Sequence, residues 1–307
     1  MSASLSVLVP IEIDDAKLVS STVAETDYPV WLPDTTYAIG DRRISLMTHR
    51  VYESLAAGNI GHDPTVIDNR VGTTLWWFDV GATNAWAMLD GEVSTQTVAA
   101  SPLTLVMRPG AINSAFLAGI DASTLSIVVK DRPGGSVVYQ YAGDLEASLP
   151  ADYYEHFYDP FKMQTDFLAT NIGVYSDCEA TFTLERSGGT VKCSVLAMGD
   201  LRPLGATQYG AKAKPKSFSY IKTDEYGNNV IKRRKKARDM SATAFVALSE
   251  ANSVLDTISE LLDVPCVWIG TDLPEYTGLR TYGLGSAELS YDHPQDAILN
   301  LTVQGII

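Results

Sequence analysis

The sequence predicts a mainly β protein, built of β-sandwich modules and a C-terminal β-α-β-β-β unit with one long helix. Three observations predict it. Short runs rich in Val, Ile, Thr and Tyr recur between clusters of Gly, Pro, Asn and Asp, which is the punctuation of all-β domains rather than of βαβ units. Pro133-Gly134-Gly135 and Ser187-Gly188-Gly189 supply the positive φ angles that tight hairpin connections require. A single stretch, after residue 249, has helical periodicity of useful length.

The elements divide into three segments, residues 1–84, 85–200 and 201–307. The first opens on "LSVLVPIEI", a strand with no evident partner nearby, and closes on "LWWFDVG". In the second, "SPLTLVMRPG", "LSIVVKD", "GSVVYQYAG", "CEATFTLER" and "GTVKCSVLAMG" alternate strand-like runs with turns, a sandwich signature. "LPADYYEHFYDPF" interrupts them as an aromatic loop or short helix. The third segment begins after "GDLRPLGATQYG" with a basic stretch, then a strand over 241–247. Ser249 is the expected N-cap of the helix, with Val254, Leu255, Ile258, Leu261 and Leu262 as its apolar stripe and Val264-Pro265 as its stop. "PCVWIG", "LRTYGLGSAELSY" and "AILNLTVQGI" supply the closing strands.

Composition narrows the function classes. With 307 residues, of which 46% are hydrophobic, the chain can bury real cores. No run of about 18 apolar residues is present and the start lacks a basic region before its apolar run, so neither a membrane span nor a secretory address is read. Cys178, Cys193 and Cys266 lack C-x-x-C spacing and are read as buried free thiols. A net charge of -14 disfavours nonspecific nucleic-acid binding, which draws its affinity from basic side chains that release counterions.

The charge is unevenly placed. Between Lys212 and Arg238 stand ten basic residues against Asp224 and Glu225, a net +8 that leaves -22 for the rest of the chain. Interleaved Phe218, Tyr220 and Tyr226 and the turn "DEYGNN" fit a β-hairpin arm. Such an arm is either solvated, docked on an acidic neighbouring subunit, or a nucleic-acid tail. The docked reading makes Tyr226, Lys232, Arg233, Arg234, Lys235, Lys236 and Arg238 subunit-interface residues.

Motifs for chemistry are sparse. His49, His62, His156 and His293 lie far apart and outside zinc-site patterns, and no Walker loop, dinucleotide fingerprint or nucleophile elbow is present. On a helix, Asp152, Glu155, His156 and Asp159 share one side, suited to a divalent cation or, more simply, to a structural cap. Nothing argues for catalysis, so the expectation is a non-enzymatic protein with no cofactor and no metal.

Two resemblances add to this reading. Trp31, Tyr37, Gly40-Asp41, Val51-Tyr52-Glu53, Asn59, Gly61, Pro64 and Trp76-Trp77 resemble the pattern of small chitin- or cellulose-type carbohydrate-binding modules, in which aromatic planes stack on sugar rings. That resemblance implies sugar contacts at Trp31, Tyr37, Tyr52 and Trp77. This chain differs from the pattern at Leu55-Ala56-Ala57, where an exposed aromatic pair is usual, and in the insertion "TVIDNRVGTT". Across nearly the whole chain, "WWFDVGATNAWAMLDGEVSTQT", "AINSAFLAGIDASTLSIVVKD", "LRPLGATQYG" and the closing strands resemble distal-tail or tail-tip proteins of long-tailed bacteriophages, with a galactose-binding-like sandwich in the middle segment. That resemblance implies a structural virion protein, a homo-oligomeric ring assembled in the host cytoplasm and joining the tail tube to hub and fibre components. A host-surface carbohydrate-binding protein without catalysis is the alternative.

Overall fold

The structure, a computed structural model, describes residues 4–145, 163–223, 225, 227–234, 236–271, 273–291 and 294–306. The "DYYEHFYDP" cluster, Tyr226, Lys235 and His293 lie outside these residues. The protein is mainly β, as its sequence predicts. Strands β1 (Ser4–Pro10) and β2 (Leu18–Ser21) open the chain and join different sheets. β3 (Arg42–Ser45), β4 (Arg50–Ser54) and β5 (Trp77–Ala82) make a small antiparallel sheet. Then follow β6 (Thr97–Ala100), β7 (Leu103–Met107), β8 (Ser114–Ala118), β9 (Thr124–Lys130), β10 (Val137–Asp144), β11 (Asp166–Ala169), β12 (Glu179–Glu185) and β13 (Thr190–Cys193).

A single long strand, β14 (Val195–Thr207), crosses from the middle segment into the last, so the boundary expected between residues 200 and 201 falls inside one element. The basic stretch contributes β15 (Lys212–Ser217), β16 (Tyr220–Thr223) and β17 (Asn229–Lys232). The chain ends with β18 (Lys236–Ala247), helix α1 (Ala251–Glu260), β19 (Cys266–Ile269), β20 (Arg280–Ser290) and β21 (Asp296–Gly305), which is the expected β-α-β-β-β order.

The strand with no evident partner in the sequence has two. β1 pairs antiparallel with β14 on one side and β19 on the other, at the centre of a nine-stranded sheet ordered β11-β8-β14-β1-β19-β20-β21-β18-β15. A further pairing of Ala206 with Phe245 and Thr207 with Ala244 joins β14 to β18. Six strands, β14, β1, β19, β20, β21 and β18, therefore form a closed circuit, which removes their edges from water. Alternation sorts the side chains: Leu5 and Val7 of β1 enter the barrel core, and Leu8 faces a second cluster with Phe116 and Val267.

Beyond the barrel, β14 begins the sandwich. Its Leu196 and Met198, with Ala115 and Leu117 of β8, pack against the inner face of a five-stranded sheet ordered β10-β9-β12-β7-β2. That face carries alternating Leu125-Ile127-Val129 and Ala180-Phe182-Leu184, the period-two pattern visible in the sequence. Gly134 and Gly188 have φ of 69° and 68°, as their turns require.

The helix differs from expectation at its start. Glu250, not Ser249, is the N-cap and makes no side-chain cap bond. Val254, Ile258 and Leu261 join the barrel core at i, i+4 and i+7, but Leu255 and Leu262 face water, so the apolar stripe is narrower than the sequence pattern. Trp268 is the largest side chain of that core, fully buried, with its indole N–H donating to the Gly283 carbonyl at 3.1 Å. Gly285, on the neighbouring strand, leaves the space the indole fills: a Cβ there would overlap the Trp268 ring. Gly285→Ala should cost about 1–3 kcal/mol through overpacking, read as a lower denaturation midpoint with an unchanged far-ultraviolet spectrum.

Candidate functional site: an acidic cleft and a basic arm

The residues expected to contact sugar occupy different surroundings. Tyr37, Tyr52 and Trp77 are each 1% exposed and make the core of the small β3-β4-β5 sheet, with Trp31 and Trp76 packed against them. Trp77 meets Tyr37 edge-on at 5.2 Å, and its indole N–H donates to the His62 carbonyl at 2.7 Å. The Tyr37 hydroxyl accepts from the Leu32 amide at 2.8 Å and donates to the Leu32 carbonyl at 3.0 Å. A sugar can stack only on a ring face that water reaches, so the contact role expected of Tyr37, Tyr52 and Trp77 is corrected to a structural one. Only Trp31 of the four keeps partial exposure. Small modules that lack disulfides need such a dense aromatic core.

The residues that do share a concave surface come from three separate stretches. A cleft of about 270 Å³ lies among Ile13, Asp14 and Asp15 of the β1–β2 connection, Met47 to His49 of the β3–β4 turn with Arg50 at the start of β4, and Ala82 at the end of β5 with Trp86, Leu89 and Asp90 beyond it. His49 pins these stretches together. It adopts φ 54°, an uncommon conformation for a residue with a side chain, and its ring stacks on Trp86 at 3.9 Å. Nδ1 lies 3.0 Å from Glu25 and Nε2 lies 3.1 Å from Asp15. Glu25 also accepts from the Thr83 hydroxyl at 2.9 Å, and the Thr83 amide donates to the His49 carbonyl at 2.8 Å.

Electrostatics within the cleft are asymmetric. Its guanidinium, Arg50, is committed to Asp79, donating from Nε to both carboxylate oxygens at 2.8 Å. Asp14 holds Lys17 at 3.0 Å. Burial lifts the Asp90 carboxyl to about 6, against bonds from the Glu92 amide and the Thr95 hydroxyl and the charge of Arg50, which all favour its ionised form. Next to it, the Tyr282 hydroxyl donates to the Gly91 carbonyl at 2.8 Å and ties this loop to the barrel; burial raises the Tyr282 pKa and keeps the proton in place.

The basic stretch forms the hairpin its turn residues predict. β15 pairs with β18 at the free edge of the large sheet, and β16 pairs with β17 beyond it, from Tyr220 opposite Lys232 to Thr223 opposite Asn229. Every residue of β16 and β17 is exposed. Arg234 stacks over Tyr220 at 4.8 Å and Lys216 over Phe218 at 5.1 Å, so cations and aromatics alternate along the arm. Of the expected interface residues, Lys232, Arg233, Arg234, Lys236 and Arg238 are all exposed.

The three cysteines are buried and free, as their spacing predicts, and burial pushes the Cys193 and Cys266 thiols up to about 12. Among the described residues no three His, Cys, Asp or Glu side chains are placed to hold a metal ion together, and no helix is long and apolar enough to cross a membrane. Comparison with known proteins finds no protein-family model that matches the chain and no curated protein that matches it.

Sequence reasoning missed the cleft. Its one local signal was the acidic "EIDD" run at 12–15, and the partners of that run lie some 35 and 75 residues away.

Two measurements test these assignments. Trp77→Ala should cost about 3–5 kcal/mol in denaturant unfolding, the signature of a core ring and not of a surface contact. Because its folded pKa is raised from 3.8 to about 6, Asp90 contributes stability that is present below 3.8 and lost as pH rises through 6. Allowing for its partial exposure, wild type should lose about 1–2 kcal/mol relative to Asp90→Asn between acid and neutral pH, read from unfolding curves across that range.

Proposed function

We propose that this protein is a structural, non-enzymatic component of the tail tip of a long-tailed bacteriophage, a distal-tail or baseplate element that forms a homo-oligomeric ring. In this role it links the tail tube to hub and fibre components, is assembled in the host cytoplasm and resides in the virion tail. The observation that carries the reading is the solvent-exposed two-stranded arm, part of a +8 stretch on a chain whose remainder is -22. A basic stretch that projects from a body of the opposite sign, with most of its charge at the base of the arm, suits a heterologous contact, in which each copy's arm meets the next copy's body and a closing rotation gives a ring.

The resemblance to tail proteins supplies the setting, and the architecture is compatible with it. A closed barrel has few edges that could add strands by accident. At β15, the free edge next to the arm, Pro215 lacks an N–H and three lysines discourage strand addition. Subunits would then meet through the arm and through side-chain surfaces, leaving register to the charges and most of the affinity to apolar contact.

Removing residues 219–233 and closing β15 to β18 with an Asn-Gly turn tests the reading. The expected outcome is a monomer by light scattering, with its unfolding midpoint unchanged, where the intact chain forms one defined oligomer visible as rings by electron microscopy. A monomeric intact chain, or a shortened chain that still forms rings, overturns the proposal.

A further inference from the structure

Register divides the arm into two faces. Residues opposite one another in an antiparallel pair project to the same side, so Tyr220, Lys232, Lys222 and Val230 share one face, and Ile221, Ile231, Thr223 and Asn229 the other. Arg234 adds its charge to the first by stacking over Tyr220. One face is therefore cationic, and the other presents a cross-strand isoleucine pair whose members are 65% and 63% exposed. Every residue of both faces is exposed.

The cleft has the complementary chemistry. Ile13, Met47 and Leu89 give it apolar walls, and Asp14, Asp15 and Asp90 give it carboxylates at the rim and floor. The basic side chains of the same chain at this place are in use: Arg50 on Asp79, Lys17 on Asp14, and the His49 ring between Asp15 and Glu25. Asp90 alone of the three carboxylates has no ion-pair partner among the described residues. A lysine side chain matches this arrangement, because its alkyl stem covers apolar wall while the ammonium meets the acid.

We infer that the cleft is the receiving site for the arm of a second copy of this chain, with a lysine of the Lys222–Lys232 face entering it. This inference rests on the ring reading above and specifies its contact. Both halves of the contact lie on every copy, so each subunit donates one arm and receives one. The seated ammonium gives half-buried Asp90 the close ion pair that it lacks among the described residues, and the Ile221–Ile231 pair turns outward or onto the receiver.

Site-directed cross-linking of the full chain tests the pairing. The native cysteines are buried, so Lys232→Cys together with Asp14→Cys places the reactive thiols at the arm and the cleft rim. A short bis-maleimide should link neighbouring copies into a ladder that ends at the ring size, while Lys232→Cys paired with Thr190→Cys should not. Separately, Lys222→Glu with Lys232→Glu should weaken association about tenfold or more while each subunit stays folded, and Asp14→Lys, which leaves the Asp15–His49–Glu25 clamp in place, should restore part of it.

Rings that assemble without Lys232–Asp14 cross-links, or an arm charge reversal that the cleft reversal fails to rescue, overturn the cleft as receiver and leave the ring reading intact. An intact chain that never associates overturns both. Arms that bind DNA at physiological salt, with no association between copies, would replace the partner altogether.

Discussion

The closure of β14 onto β18 is the constraint on which the remaining architecture depends. β14 is long enough to serve two cores: its first half faces the five-stranded sheet and its second half, paired with β1, lines the barrel. When Ala206 and Thr207 meet Phe245 and Ala244, a sheet that would otherwise expose edges becomes a circuit whose backbone groups are satisfied internally. Gly205 makes that approach possible, since a Cβ there would overlap the Phe245 carbonyl. Sandwich and barrel are therefore two packings of one continuous strand.

The barrel also explains how the basic stretch can project so far. β15 and β18 extend the closed sheet as a flap, and their continuation into β16 and β17 leaves the body altogether. An isolated two-stranded ribbon is only marginally stable in water. Here its base is anchored in the nine-stranded sheet, and its length is braced by Lys216 on Phe218, Arg234 on Tyr220 and the Arg234 amide on the Ser219 hydroxyl. The like charges of Lys232, Arg233, Arg234 and Lys236 crowd the base of the ribbon and repel one another, and an acidic partner surface relieves that repulsion.

The small β3-β4-β5 sheet is joined to the body by polar contacts more than by a shared apolar core. His49, with Glu25, Asp15 and Thr83, clamps its turn to the connections around it, while its own aromatic cluster holds the sheet together. The cleft exists because this clamp draws three loops to one place. Its acidity follows from which loops meet there and would not be seen in any of them singly.

Local features were legible in the residues alone: strand periodicity, glycine-bearing turns, the helix, the order β-α-β-β-β and the hairpin with its charge. These follow from side-chain alternation and backbone preference within a dozen residues, where neighbours along the chain decide the outcome. Long-range contacts set the rest: β1 lies between β14 and β19, β14 runs through the boundary expected at residue 200, Tyr37, Tyr52 and Trp77 are core, and His49, Asp15 and Asp90 share a cleft. An aromatic residue spaced for stacking on sugar and one spaced for packing a small core have the same letters. Burial, set by contacts between residues distant in sequence, is what separates them.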